Sequence, residues 1–172
     1  MPEWLSTTLA LVAGGLLTML TGWVADRRLS ARERERREDE RRDRLRIRRS
    51  DFQRETLLAL QVASQKLLRT TGAMNHEDVV AFRSGGRWQR QLYPDELSDG
   101  QLQQITEIML LASRVHDDLA RTLAVTLREQ CASVGISDNE AQAQSRMTTA
   151  ASTQQALIER IGHLVRTMDD AD

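Results

Sequence analysis

The stretch WLSTTLALVAGGLLTMLTGWVA, residues 4–25, carries no charged side chain, although charged residues make up 28% of this 172-residue chain. Twenty-two residues at the helical rise cover about 33 Å, slightly more than the roughly 30 Å of bilayer hydrocarbon. Trp4 and Trp23 stand 19 positions apart, about 28 Å along a helix, which sets one indole near each lipid–water boundary. An interfacial helix needs a charged face, and no helical phase of this run supplies one. The expectation is a transmembrane anchor over residues 1–25 with the lipid bilayer as its partner, held at its boundaries by Trp4, Trp23, Arg27 and Arg28.

A cleaved signal peptide fits poorly, because it requires a cationic start and this chain begins Met1, Pro2, Glu3. Positive charge follows the apolar run instead, at Arg27, Arg28, Arg32 and Arg34. By the positive-inside rule the N-terminus lies outside and the C-terminal bulk in the cytoplasm, which makes this a single-pass protein of the plasma or inner membrane. The single cysteine, Cys131, offers no disulfide framework and suits a reducing compartment. Within the apolar run, Ser6, Ala10, Gly14, Thr18 and Gly22 recur every fourth position. Small residues on one side let two backbones approach closely, so this stripe is the expected self-association face of a homo-oligomer, although small residues are also common in membrane helices generally.

Residues 26–51 change character to twelve arginines and eight acidic residues. Glu33 with Arg37, Glu38 with Arg42 and Glu40 with Arg44 have the acid-first, four-residue spacing that stabilises an exposed helix by about 0.2–0.5 kcal/mol per pair. A charged helical stalk is expected. Its interleaved acids repel phosphates, so a nucleic-acid partner is disfavoured. Regular a and d apolar positions are too few to specify a coiled coil, although Leu45, Ile47 and Phe52 can begin a seam.

Residues 52–172 suffice for one domain. Phe52, Thr56, Leu60, Ala63 and Leu67, with Leu57 and Leu68, form a helical stripe that Gly72 is expected to stop. Asn75 is placed to cap a short second helix carrying Val79, Val80 and Phe82, ended by Ser84, Gly85 and Gly86. Ser98 and Gln101 have capping-box spacing ahead of a long stripe through Leu102, Ile105, Met109, Ala112, Val115, Leu119, Leu123 and Leu127, closed by Gly135. A last helix begins near Asp138 and becomes apolar at Leu157, Ile158, Ile161, Leu164 and Val165. No segment alternates as a strand. The predicted class is all-α: an N-terminal transmembrane helix, a charged helical stalk, and a cytoplasmic antiparallel bundle of three long helices plus a short one.

With Asp51, Phe52, Gln53, Arg54, Glu55, Thr56, Leu57 and Leu58 at the first bundle helix, and Arg160, Ile161, Gly162, His163 and Leu164 at the last, the chain resembles a group of small bacterial single-pass membrane proteins. They have an N-terminal anchor, an Arg/Glu-rich stalk and a cytoplasmic helical domain, and no established activity. The resemblance implies architecture only.

No constellation of catalytic, cofactor-binding or metal-binding residues emerges. His76, Glu77 and Asp78, His116, Asp117 and Asp118, and Glu159 with His163 bring carboxylates near histidines, but the Glu-x-x-His spacing of a bundle di-metal site is missing. Ser84, Gly85, Gly86 and Arg87 lack the strand and lysine of a phosphate loop. The most informative soluble segment is the loop with Arg83, Arg87, Trp88, Arg90, Tyr93 and Pro94, rich in the aromatic and guanidinium groups that anchor protein contacts. It is a candidate partner-binding loop; in the competing reading Trp88, Leu92 and Tyr93 fold back to close the bundle. The functional expectation is a non-enzymatic, self-associating adaptor, scaffold or signalling subunit that offers its bundle to a cytoplasmic protein partner, with no cofactor, small-molecule substrate or nucleic acid. The alternatives are a membrane-perturbing effector using Ser6, Thr7, Thr8, Thr18 and Thr21 as polar surface, and, less favoured, a metal-dependent enzyme.

Overall fold

A computed structural model describes residues 36–85, 87–89 and 92–168 in full, and the backbone alone of residues 3–35 and 169. The expected transmembrane anchor, its small-residue face Ser6, Ala10, Gly14, Thr18 and Gly22, and the boundary residues Trp4, Trp23, Arg27 and Arg28 lie outside the residues whose side chains are described. Among the described residues no helix is long and apolar enough to cross a membrane. The fold is all-helical, with no strand among the described residues: α1 (Glu3–Arg83), α2 (Asp95–Arg114), α3 (Asp118–Val134) and α4 (Glu140–Asp169). Two compact units divide the chain, Met1–Arg48 and Arg49–Asp172.

In the first unit every side chain from Arg36 to Arg48 is exposed. Of the expected four-residue pairs, Glu33 with Arg37 lies outside the residues whose side chains are described, and near the other two the local contacts take other spacings or acceptors. Arg42 meets Asp39 at 3.7 Å and Arg46 meets Asp43 at 3.8 Å, each one residue closer in sequence. Arg44 donates from Nε to the Glu40 carbonyl at 3.1 Å instead of to its carboxylate. Long arginine side chains on an exposed helix have several acceptors of nearly equal energy, which is why each pair contributes little.

The second unit is a four-helix bundle. Its α1 portion turns Leu57, Leu60, Ala63 and Leu67 into the core, all essentially inaccessible, at the three- and four-residue spacing read from the sequence. The expected stop at Gly72 and the separate short helix after it do not occur, because α1 continues to Arg83. A lone glycine costs a helix about 1 kcal/mol, less than the packing on either side returns. The stop comes at Ser84 and Gly85, where Gly85 adopts φ 89°, a left-handed value open to glycine.

The expected single helix after Ser98 is two. α2 starts a turn earlier, after Pro94, whose carbonyl accepts from the Leu97 and Ser98 amides. It ends at Val115, which is extended, and Asp117 then caps α3 by accepting from the Ala120 amide at 2.8 Å. α4 opens with reciprocal bonds from the Gln142 amide to Asn139 Oδ1 at 2.9 Å and from the Asp138 amide to Gln142 Oε1 at 2.6 Å, close to a capping box.

Long-range bonds set the topology. Gln53 near the start of the unit bonds Arg114 and His116, Asp117 holds Arg160, and Arg83 at the other end meets Glu140. α1 and α3 therefore run one way and α2 and α4 the other, an up-down-up-down bundle. Ile108, Leu127, Leu157 and Ile161 join the α1 residues in one core, each fully buried aliphatic side chain contributing about 1.5–3 kcal/mol before entropy is set against it.

Candidate functional site

Among its described residues, the loop between α1 and α2 uses most of its aromatic and polar groups internally. Trp88 donates from Nε1 to the Ser137 carbonyl at 2.8 Å and meets Phe82 edge-on, with ring centroids 5.8 Å apart at 84°. Gln89, at φ 51°, donates to the Val134 carbonyl at 3.0 Å. Tyr93 donates its hydroxyl to the buried Asp78 carboxylate at 2.5 Å. Burial first, and then that carboxylate, hold the phenol protonated well above its usual range. Arg83 is engaged with Glu140 at 2.5 Å. Arg87 is exposed, Leu92 is 99% exposed, and Arg90 lies outside the described residues. Of the candidate partner-binding loop, then, Trp88 and Tyr93 clip the loop to the bundle while Arg87 and Leu92 face outward.

The opposite end is organised around the turn from α2 to α3. Gln53 spans it with both ends of its amide: Nε2 donates to the Arg114 carbonyl at 2.9 Å and Oε1 accepts from the His116 amide at 3.0 Å. Arg160 forks onto Asp117 at 3.1 and 2.6 Å. That guanidinium holds the Asp117 carboxyl below its ordinary range, against a smaller opposing effect of burial and with help from the Ala120 and Leu119 amides. An open recess of about 280 Å³ lies beside this turn, lined by Gln53, Leu57, Val115, His116, Asp117, Leu164 and Met168. Of its lining, Leu57 and Val115 are about 1% exposed, while His116 is exposed and Asp117, Leu164 and Met168 are half-buried.

The three histidine–carboxylate groups separate on folding. His76 and Glu77 are exposed while Asp78 turns inward; His116 is exposed while Asp117 and Asp118 engage Arg160 and Arg121. His163 is exposed, and Glu159 accepts from Gln155 at 2.9 Å. Among the described residues no group of three or more His, Cys, Asp or Glu side chains is placed to hold a metal ion. Cys131 is fully buried on α3. Burial raises its thiol pKa, opposed by the Thr71 hydroxyl beside it, which leaves a protonated, apolar group.

Part of the stripe that sequence periodicity assigned to the core, Leu102 and Met109, is exposed. On α2, Leu102 is 64%, Met109 51% and Leu110 50% accessible, and they share an outward face with the hydroxyls of Thr106 and Ser113. The signal for it was present: Ile108, Met109, Leu110, Leu111 and Ala112 are five consecutive apolar residues, more than a one-sided helix can bury. Comparison of the chain with known protein families, with curated proteins and with solved structures finds no match.

Proposed function

We propose that this protein is a single-pass membrane protein whose N-terminal helix anchors and self-associates, and whose second unit is a helical adaptor, scaffold or signalling module for a protein partner in the cytoplasm. The observation that carries this reading is the uncharged run from Trp4 to Ala25, followed by twelve arginines within residues 26–51. A span of that length with cations on one flank partitions into a bilayer in one orientation. The bundle supports the second half of the reading. It closes its own core, uses Asp117, Arg160, Arg83 and Glu140 in capping and pairing, and leaves Leu102, Met109 and Leu110 of α2 and the outward Leu92 and Arg87 for contact. Large apolar groups held on rigid elements are suited to protein recognition.

The test is fractionation of the full-length protein from its own cells. It is expected to stay with membranes through alkaline carbonate washing, to need detergent for release, and to have its bundle protected from protease added outside intact cells. Recovery in the soluble fraction, or digestion of the bundle from outside, overturns the reading. Loss of membrane potential on modest overexpression would favour the membrane-perturbing alternative instead.

A further inference from the structure

The chain turns back between α2 and α3 through Ser113, Arg114, Val115, His116, Asp117 and Asp118, a segment without proline or glycine, the residues that ordinarily punctuate helices. Main-chain groups that a continuous helix would pair within itself are satisfied here by side chains. Gln53 takes the Arg114 carbonyl and the His116 amide. Arg121 donates to the Val115 carbonyl at 2.9 Å and to the His116 carbonyl at 3.4 Å. Asp117 takes the Ala120 amide and is itself held by Arg160. The turn is thus held from α1 by Gln53 and from α4 by Arg160, together with the Asp117 cap and Arg121 of α3 itself. Local sequence would permit a helix straight through, and the apolar spacing from Leu102 to Leu127 continues across it. In the folded hairpin that stripe is split, leaving Leu102, Met109 and Leu119 half or more exposed.

We propose that this turn is a hinge: α2 and α3 straighten into one helix, and the α3–α4 pair then packs on α1 and α2 of a second copy of the chain. The occupant must be a second copy. Opening the hairpin uncovers Leu60, Leu67, Ile108 and Leu111 on one half and Leu127, Leu157 and Ile161 on the other, all of them core residues. The surface shaped to cover each half again is its own counterpart from an identical chain. α3 and α4 travel together, because their connection is short and Arg146 bonds the Ser133 carbonyl and Ser137 Oγ across it. The inference does not depend on the membrane reading above, since the hinge lies wholly within the second unit.

Arg128 NH1 lies 3.2 Å from Met109 Sδ, whereas 19 residues of straight helix separate the two positions by about 28 Å. In the full-length protein carrying Met109→Cys and Arg128→Cys, a short bis-maleimide therefore links within one chain in the hairpin, and between chains in the exchanged dimer. Buried Cys131 stays in place. Denaturing gels of separated monomer and dimer fractions read the difference, and association through the anchor alone leaves the link intrachain. Adding Gln53→Ala and Asp117→Ala is expected to raise the interchain product at least tenfold at high concentration. Asp118→Pro is expected to abolish it: proline is favoured at the first position of α3 and forbids the straight helix. Dimers that hold only intrachain links, or an interchain yield unaffected by Asp118→Pro, overturn the proposal. If the double substitution loses its helical circular dichroism, the native-turn and Asp118→Pro proteins, concentrated and annealed just below their Tm, decide the matter. Interchain links only in the former support exchange, and equal yields overturn it.

Discussion

The two connections at opposite ends of the bundle reverse the chain by different means. Between α1 and α2 the helix ends are written locally: Ser84 and Gly85 end one helix, Gly85 takes a left-handed φ, and Pro94 opens the next, with Trp88, Gln89 and Tyr93 then tying the loop to the bundle. Between α2 and α3 no proline or glycine marks a reversal; beside the local Asp117 cap and Arg121, the distant Gln53 and Arg160 hold it by bonding the turn. A turn encoded by its own residues tolerates changes elsewhere. A turn imposed by distant side chains fails when those side chains change, which is what makes the second connection a place where structure can be redirected.

Leu127→Ala sets the scale for breaking both ends at once, because the residue lies in the core they share. Its cost is expected to be about 3 kcal/mol, read as a lower urea midpoint at unchanged slope. Gln53→Ala comes next. It strips a carbonyl and an amide of partners at the imposed turn, and about 2 kcal/mol of destabilisation is expected in the same measurement. At the encoded loop the matching change, Gly85→Ala, meets no atom within 4 Å and costs only the left-handed backbone, about 1 kcal/mol. A loss at Gly85 as large as that at Gln53 would erase the distinction between the two connections.

The smallest expected effect is a pH dependence confined to the imposed turn. Asp117 is held below the ordinary carboxyl value by Arg160. Its contribution is therefore complete above the unfolded value of about 3.9 and is lost as pH falls through the lowered one. Asp117→Asn is expected to flatten that acid limb of Tm against pH and leave a uniformly lower plateau at neutral pH. An acid limb as steep in the variant as in the native protein would assign the dependence to other carboxylates.

The same contrast explains how much of the fold was legible in advance. Thr56, Leu57, Leu60, Ala63 and Leu67 were readable as one buried face, because period and burial agree there, whereas Phe52, read as the start of that face, is 47% exposed. Leu157 and Ile161 were readable likewise. Gly72 misled, since a glycine inside a well-packed helix lowers local propensity without supplying a turn. The α2–α3 reversal was missed, since no proline or glycine marks it and Gln53 and Arg160 sit about sixty positions before it and about forty after; the Asp117 cap was the local signal available. With that break unread, the apolar stripe was phased only in part: Ala112, Val115 and Leu127 are buried and Ile105 and Leu123 pack against the core, but Leu102, Met109 and Leu119 are exposed, while Ile108, Leu111, Ala120 and Ala124, which the stripe left out, are buried. The candidate loop was legible as a place but not as a role, because spacing cannot show that Trp88 reaches Ser137 or that Tyr93 reaches Asp78.

Cys131 has zero exposure and is the single sulfhydryl of the chain. A soluble alkylating reagent meets it only during moments when α3 parts from its neighbours, so the native protein carries a built-in clock. The rate at which it acquires label under folding conditions counts those departures without any added probe.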